Sequence, residues 1–255
     1  MANPKHIVVT GASSGIGAAL AVQLGAAGHR VALAARREPE LQAVAVRAGS
    51  GAIVVPTDVT RRDEVNRLRD RAIEAFGHVD VWVNNAGRGI NRPVLELTDD
   101  ELDLMMLVNV KSALYGMQAI APHFAARGRG QIVNVSSFLS RVPFATFRSG
   151  YNAAKAALNA LTANARVDLA RAHPDIQVTL VMPGLVRTEF QRNALGGSPP
   201  MPFAEAQPVD AAVAAIVDAI ANPVAEIYTN PHQAAVVQSY FQDVGAFERR
   251  AVARG

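Results

Sequence analysis

Cysteine is absent from this 255-residue chain, which excludes disulfides, thiolate metal sites and a cysteine nucleophile. The six histidines are scattered without metal-ligand spacing, so no metal site is expected. Long apolar runs are missing too. The longest, near 211–225, is interrupted by Asp218 and Asn222 and reads as a core helix rather than a membrane span. Met1 to His6 run directly into an apolar strand, too short a leader for a signal peptide, and a soluble cytoplasmic protein is the expectation. Charge of one sign is scarce: the net charge is +3, and the basic stretch Arg67-Leu68-Arg69-Asp70-Arg71 is mixed with acid and reads as a solvated helix face. No nucleic-acid partner is expected, because such binding needs a concentrated basic stripe or a known motif.

What the chain does have is apolar residues at half of its positions, enough for a large core. Short β-branched runs at 6–10, 30–35, 52–55, 79–84, 131–135 and 177–182 read as buried strands, with Ile227 and Tyr228 a seventh. Helical patterns separate them. Thr60 with Asp63 and Thr98 with Glu101 resemble capping boxes at two helix starts. Strict alternation of strand and helix predicts an α/β fold: a doubly wound parallel sheet of about seven strands with helices on both faces. No repeat or linker divides the chain. Gly196-Gly197-Ser198-Pro199-Pro200-Met201-Pro202 reads as a loop inside one domain spanning 1–255.

Two local patterns carry chemistry. After the first strand comes Thr10-Gly11-Ala12-Ser13-Ser14-Gly15-Ile16-Gly17, leading into a helix. Glycines allow a tight turn and a close approach, and the amides and positive dipole end of the helix hold a phosphate. Tyr151 and Lys155 lie four apart on an Ala- and Leu-rich helix and so share one face. A cation beside a phenol lowers its pKa and suits it to acid–base work near neutral pH.

In order, the chain carries Thr10-Gly11-x-x-x-Gly15-x-Gly17, Asp58-Val59, Asn84-Asn85-Ala86-Gly87, Asn109, Ser136-Ser137, Tyr151-x-x-x-Lys155 and Pro183-Gly184. With these motifs at family-like separations, it resembles the short-chain dehydrogenases/reductases over roughly Lys5 to Tyr228. The resemblance implies a Rossmann fold with a cofactor half at about 5–135 and a catalytic and substrate half at about 136–255. It implies an NAD(P)-dependent oxidoreductase acting on CH–OH groups, interconverting a ketone or aldehyde and an alcohol. Gly11, Ser13, Ser14, Gly15, Ile16 and Gly17 would then cradle the cofactor phosphates. Asp58 and Val59 would flank the adenine, and Asn85, Ala86 and Gly87 the adenosine side. Pro183, Gly184, the Val186 backbone and the Thr188 hydroxyl would meet the nicotinamide.

The second strand ends Ala34-Ala35-Arg36-Arg37, with Ala35 where NAD-preferring relatives place an acid. A guanidinium there accommodates a 2′-phosphate, so NADP(H) is preferred and NAD(H) stays possible. Arg37 serves equally well as a phosphate contact or as a solvated loop charge. In catalysis, the resemblance assigns Tyr151 as general acid/base and Lys155 to the phenolate and the cofactor ribose. Ser137 would hydrogen-bond the substrate oxygen, with Ser136 the lesser candidate, and Asn109 would anchor a relay water. Ser140, often glycine in relatives, suggests an unusual loop conformation.

Phe138, Leu139, Val142, Phe144, Phe147, Leu185, Phe190, Met201 and Phe203 form an expected apolar wall for the small-molecule carbonyl or alcohol substrate. Arg88, Arg92, Arg141 and Arg148 lie in the same loops and suit an acidic group instead. The competing reading is a catalytically silent dinucleotide-binding redox sensor or scaffold. An α/β hydrolase needs a Gly-x-Ser-x-Gly elbow and is not the expectation. The apolar helices 151–170 and 98–127, the latter through Leu102, Met105, Met106, Leu114, Met117 and Ile120, suggest pairing into a homodimer or homotetramer, as in relatives.

Overall fold

A computed structural model describes residues 4–197 and 206–253, so Met201, Phe203 and the loop residues 198–202 lie outside the described part. Along the chain run β1 (His6–Thr10), α1 (Gly15–Ala26), β2 (Arg30–Ala35), α2 (Glu38–Ala48), β3 (Ala52–Pro56), α3 (Arg62–Phe76) and β4 (Val81–Asn84). There follow α4 (Asp99–Met106), α5 (Ser112–Arg127), β5 (Gly130–Val135), α6 (Ser149–Ala172), β6 (Ile176–Met182), α7 (Val209–Ala221), β7 (Glu226–Tyr228), α8 (His232–Gln242) and α9 (Val244–Val252). The strands form one seven-stranded sheet in the order β3-β2-β1-β4-β5-β6-β7, every pairing parallel. This is the doubly wound sheet that the alternation predicts.

Both faces are covered because side chains alternate along each strand. Ile7 and Val9 pack on Leu20 and Leu24 of α1 and Ile216 and Ile220 of α7. Val8, Trp82 and Ile132 turn the other way, onto Leu68 and Phe76 of α3, Ile120 and Phe124 of α5, and the partly buried Leu161 and Leu169 of α6. Fully burying one such aliphatic side chain is worth about 1.5–3 kcal/mol, and α6 adds the wholly buried Leu158 and Ala154 to its partly buried leucines. A buried polar chain aligns it further. Trp82 Nε1 donates to Asn84 Oδ1 (2.8 Å), Asn84 Nδ2 to Asn134 Oδ1 (2.8 Å), and Asn134 Nδ2 to Thr162 Oγ1 of α6 (2.9 Å).

Some local expectations change. The Thr98–Glu101 capping box forms at α4, with both reciprocal bonds present. The Thr60–Asp63 box does not: the Thr60 amide and hydroxyl both donate to Asp58 Oδ1, and Arg61 stands at the N-cap position of α3 with no side-chain capping bond. Between α4 and α5 the helix widens into a π-helical segment, Leu107–Lys111, and the helical run 99–127 stays unbroken. That run is long and apolar enough to cross a membrane, yet half of its apolar window is buried inside the protein. Met105, Met117 and Ile120 face the chain's own core rather than a subunit surface. In α6, Ala157 and Leu161 pack inward, and Ala153, Ala156 and Ala160 in its first half are exposed.

Candidate active site

The chain winds outward in both directions from β1 and β4, and the carboxyl ends of these neighbours open a crevice where such folds bind ligands. A cleft of about 1170 Å³ fills that position. Gly11 turns the chain sharply with φ at +67°, and a Cβ there would meet Ala86 Cα at 2.8 Å. A Cβ on Gly17 would stand 2.4 Å from the Gly11 carbonyl oxygen, so α1 begins flush against the turn. Ser13, Ser14, Gly15 and Ile16 line the cleft at the start of α1, where orphan amides and the helix dipole favour an anion. Gly17 lies behind them. The cradle therefore fits a dinucleotide's phosphates on its own geometry.

Arg36, Arg37, Asp58 and Val59 line the same end of the cleft. Arg37 donates to Ser13 Oγ (3.1 Å) and to Glu40 (3.2 Å), which draws it over the cradle. Burial opposes ionisation of Asp58, but the two Thr60 hydrogen bonds and the charges of Arg36 and Arg61 hold its pKa below the usual value. Asn85 serves the turn itself: its Nδ2 donates to the Thr10 carbonyl (2.9 Å), while its amide and that of Ala86 donate to Thr10 Oγ1 (3.0 and 3.1 Å). Thr10, which opens the glycine-turn motif but has no role of its own legible in the sequence, thus bolts β1 to the loop after β4. Pro183, Gly184, Val186 and Thr188 line the opposite wall, with Gly87 between. The hydroxyl of Thr188 accepts from the Phe190 amide (3.3 Å).

The five residues Gly11-Ala12-Ser13-Ser14-Gly15 do match hydrolase-elbow spacing, against the expectation that the chain lacks one. The Ser13 hydroxyl is taken by Arg37, and none of the described residues lining the cleft is a histidine that could act as its base.

At the other end, the first turn of α6 presents Tyr151 and its second turn Lys155, 7 % and 3 % exposed. Ser137 lines the cleft with Tyr151 and acts on its phenol, lowering the pKa. Ser136 points away, its hydroxyl bonded to Asn159 Oδ1 (2.6 Å) and the Lys155 carbonyl (3.2 Å). Ser140 sits in a 3-10 turn, and among the described residues no non-glycine residue has positive φ, so no left-handed backbone is found at Ser140. Asn109, in the π segment, lies behind the wall: its Nδ2 donates to the Arg88 carbonyl (3.0 Å) and its Oδ1 accepts from the Arg88 amide (3.1 Å).

The electrostatics differ from the sequence expectation. Lys155 Nζ donates to the Val135 carbonyl (2.8 Å) and lies 5.8 Å from the centroid of the Tyr151 ring. Burial lowers the Lys155 pKa to about 7. Burial also pushes the Tyr151 phenol up, opposed by the Ser137 hydrogen bond and by the charge of Arg148. The Arg148 guanidinium carbon lies at a similar distance, 6.0 Å from the Tyr151 centroid, so a second cation faces the phenol.

The apolar wall is partly as expected. Phe138, Leu139, Phe144, Phe147, Leu185 and Phe190 line the cleft, and Phe190 packs on Tyr151 at 5.6 Å between centroids. Val142 is instead wholly buried beside Phe138 and Tyr240. Leu104, Leu107 and Val108 join the wall, as do Gln207 and Gln233 from beyond residue 206. No sequence motif marks them, because only the packing of their elements turns them inward. Of the arginines, Arg92 pairs with Glu101 (2.8 Å) and Arg141 with Glu226 (2.7 Å), while Arg88 and Arg148 line the cleft.

At the amino ends of the strands, His6, His78 and Asp80 converge within 4.8 Å, which their scattered sequence positions conceal. Asp80 is already engaged there, accepting from the His6 amide (2.9 Å) and Arg127 Nη2 (3.0 Å).

A phosphate cradle at the switch point of a parallel sheet, with a buried Tyr–Lys pair across the same cleft, defines a dinucleotide-fold oxidoreductase class. The short chain dehydrogenase family model matches residues 5–196. An uncharacterized oxidoreductase of Staphylococcus epidermidis is 36 % identical over 184 residues, covering 72 % of this chain and 79 % of the relative. A short-chain dehydrogenase structure from Streptomyces avermitilis superposes with a TM-score of 0.83 at 31 % identity, covering 99 % of both chains. A short chain dehydrogenase from Burkholderia cenocepacia in complex with NADP gives 0.82 at 31 % identity, covering 97 % of both. One from Burkholderia phymatum, in complex with NAD, gives 0.86 at 26 % identity and 95 % coverage of both. The chain belongs to the short-chain dehydrogenase/reductase family.

Proposed function

We propose that the protein interconverts a small carbonyl compound and its alcohol with NADP(H), Tyr151 serving as general acid/base. The observation that carries this reading is the convergence of Ser137, Tyr151 and Lys155 on the same cleft as the glycine turn and Arg36. A bound nicotinamide supplies or accepts the hydride. The chain's own residues handle the oxygen and its proton. Ser137 orients the substrate oxygen, an oxyanion-type task. Tyr151, kept protonated by burial, donates its proton in reduction and recovers it in oxidation. Lys155 holds the cofactor ribose and, with its pKa brought to about 7, exchanges a proton with the relay near neutral pH. Asn109 anchors the relay water from behind the cleft wall, its amide side chain engaged by the Arg88 backbone.

Arg36 supports NADP(H) over NAD(H), since a forked guanidinium matches phosphate oxygens and no acid precedes it. The Ser13–Arg37 contact adds a second cation at that end. Residues 5 to about 135 mainly bind cofactor and those from about 136 onward mainly act on substrate, with Asn109 crossing one way and Lys155 and the segment 183–188 the other. The exposed Ala153, Ala156 and Ala160 support a homodimer or homotetramer, the tetramer favoured. The test is a panel of ketones and aldehydes with NADPH, read as loss of nicotinamide absorbance. A protein that binds NADPH yet reduces none of them would instead be the silent sensor.

A further inference from the structure

Arg148 is only 2 % exposed, yet it lines the cleft beside Tyr151. Its guanidinium carbon lies 6.0 Å from the ring centroid of Tyr151, 6.0 Å from that of Phe190 and 5.8 Å from that of Phe147. Nη2 donates to the Gln191 side-chain oxygen, whereas Nε is buried with no hydrogen-bond partner. Among the described residues no carboxylate pairs with it, in contrast to Arg92 and Arg141 nearby. Cations in aromatic surroundings gain some attraction from the rings. That does not replace a counter-charge, and an unpaired buried ion is costly. Burial accordingly lowers the Arg148 pKa. A cost of this kind persists where a ligand brings the opposite charge, and the apolar walls then strengthen the pair.

We propose that Arg148, with Gln191 beside it, binds a carboxylate on the substrate, so that the enzyme acts on apolar-bodied oxo acids, or the matching hydroxy acids, rather than on neutral ketones. This rests on the oxidoreductase reading above. It places the substrate's charged end against α6's first turn, one helical turn from the phenol that meets its carbonyl oxygen. Gly89 matters to the same guanidinium: a Cβ there would approach Arg148 Nη1 to 2.7 Å and displace it without removing its charge.

The test measures binding of benzoylformate and of its methyl ester to the full chain by titration calorimetry, with and without NADP⁺, so no turnover is required. The wild type should prefer the acid by roughly 10- to 100-fold, the span of a charged hydrogen-bonded contact. Arg148→Met, which keeps the apolar stem, should erase that preference and leave ester affinity in place. Gly89→Ala should reduce it, and decides the matter if Arg148→Met does not fold. Equal affinity for acid and ester, or no binding of the acid at millimolar concentration, overturns the proposal. So does a preference that survives both variants, including one accompanied by a shifted pH profile of turnover, which would give the Arg148 charge to the Tyr151 phenolate alone. Reduction of neutral ketones without acid preference refutes this inference and leaves the oxidoreductase reading intact. Acid preference in a protein that consumes no NADPH does the reverse.

Discussion

Ser137 lies with Tyr151 on the cleft and lowers the phenol pKa that burial raises, while the Ser136 hydroxyl is bonded to Asn159. Tyr151→Phe removes only the hydroxyl, so fold and NADPH affinity should persist while kcat falls by about 10²-fold or more. Ser137→Ala should lower kcat, whereas Ser136→Ala should act mainly on stability. Steady-state kinetics and thermal melts separate these. Full activity in a folded Tyr151→Phe protein would remove the acid–base assignment.

Lys155 is buried with its ammonium on the Val135 carbonyl. Its folded pKa near 7 lies below the ordinary 10.5, so folding disfavours its charged form. The sign follows: the penalty is full below pH 7 and is relieved as pH rises toward the unfolded value. Lys155→Met should therefore raise the melting temperature of the cofactor-free protein at pH 7, by at most about 5 kcal/mol in stability, while abolishing turnover and weakening cofactor binding. A melt that drops on substitution contradicts this.

Arg36 stands at the cleft end where no acid precedes it. Arg36→Ala should weaken NADPH by about tenfold or more and leave NADH nearly unchanged, since only the former carries the extra phosphate. Fluorescence titration of both cofactors decides. Equal losses remove the charge argument, and tighter NADH binding in the parent protein reverses the preference.

His6, His29 and His123 all have pKa values lowered, in each case first by burial. Their stabilising contribution is complete above the unfolded value of about 6.5 and is lost as pH falls through the lower folded values. In the Lys155→Met protein, where the lysine's own pH dependence is absent, urea midpoints should hold steady from about pH 8 to 7 and fall below about pH 6, and adding His123→Gln should soften that fall. A midpoint that rises on acidification would show the sign to be wrong.

Because Ala157 and Leu161 pack inward, a subunit interface on α6 is better probed at Ala160, which is exposed. Ala160→Glu should dissociate the assembly with the fold retained, as read by light scattering and circular dichroism. A monomeric parent protein at micromolar concentration would refute association.

Local chemistry made the fold and the outline of the site legible in advance. Strand runs bounded by turn residues, the Gly11–Gly17 turn and the Tyr151/Lys155 spacing each depend on a few neighbouring residues, so the sequence by itself determined the sheet, the cradle and the helix bearing the pair. What it could not determine was how charge and burial are shared between segments far apart in the chain. Ser137 rather than Ser136 reaches Tyr151 because β5 ends with that side chain toward the cleft. Asp58 captures Thr60 and cancels a cap. Lys155 turns to Val135, Arg148 is buried without a carboxylate among the described residues, and His6 finds His78 and Asp80. Desolvation and ion pairing depend on what surrounds a group in three dimensions, and only the packed tertiary structure supplies those surroundings.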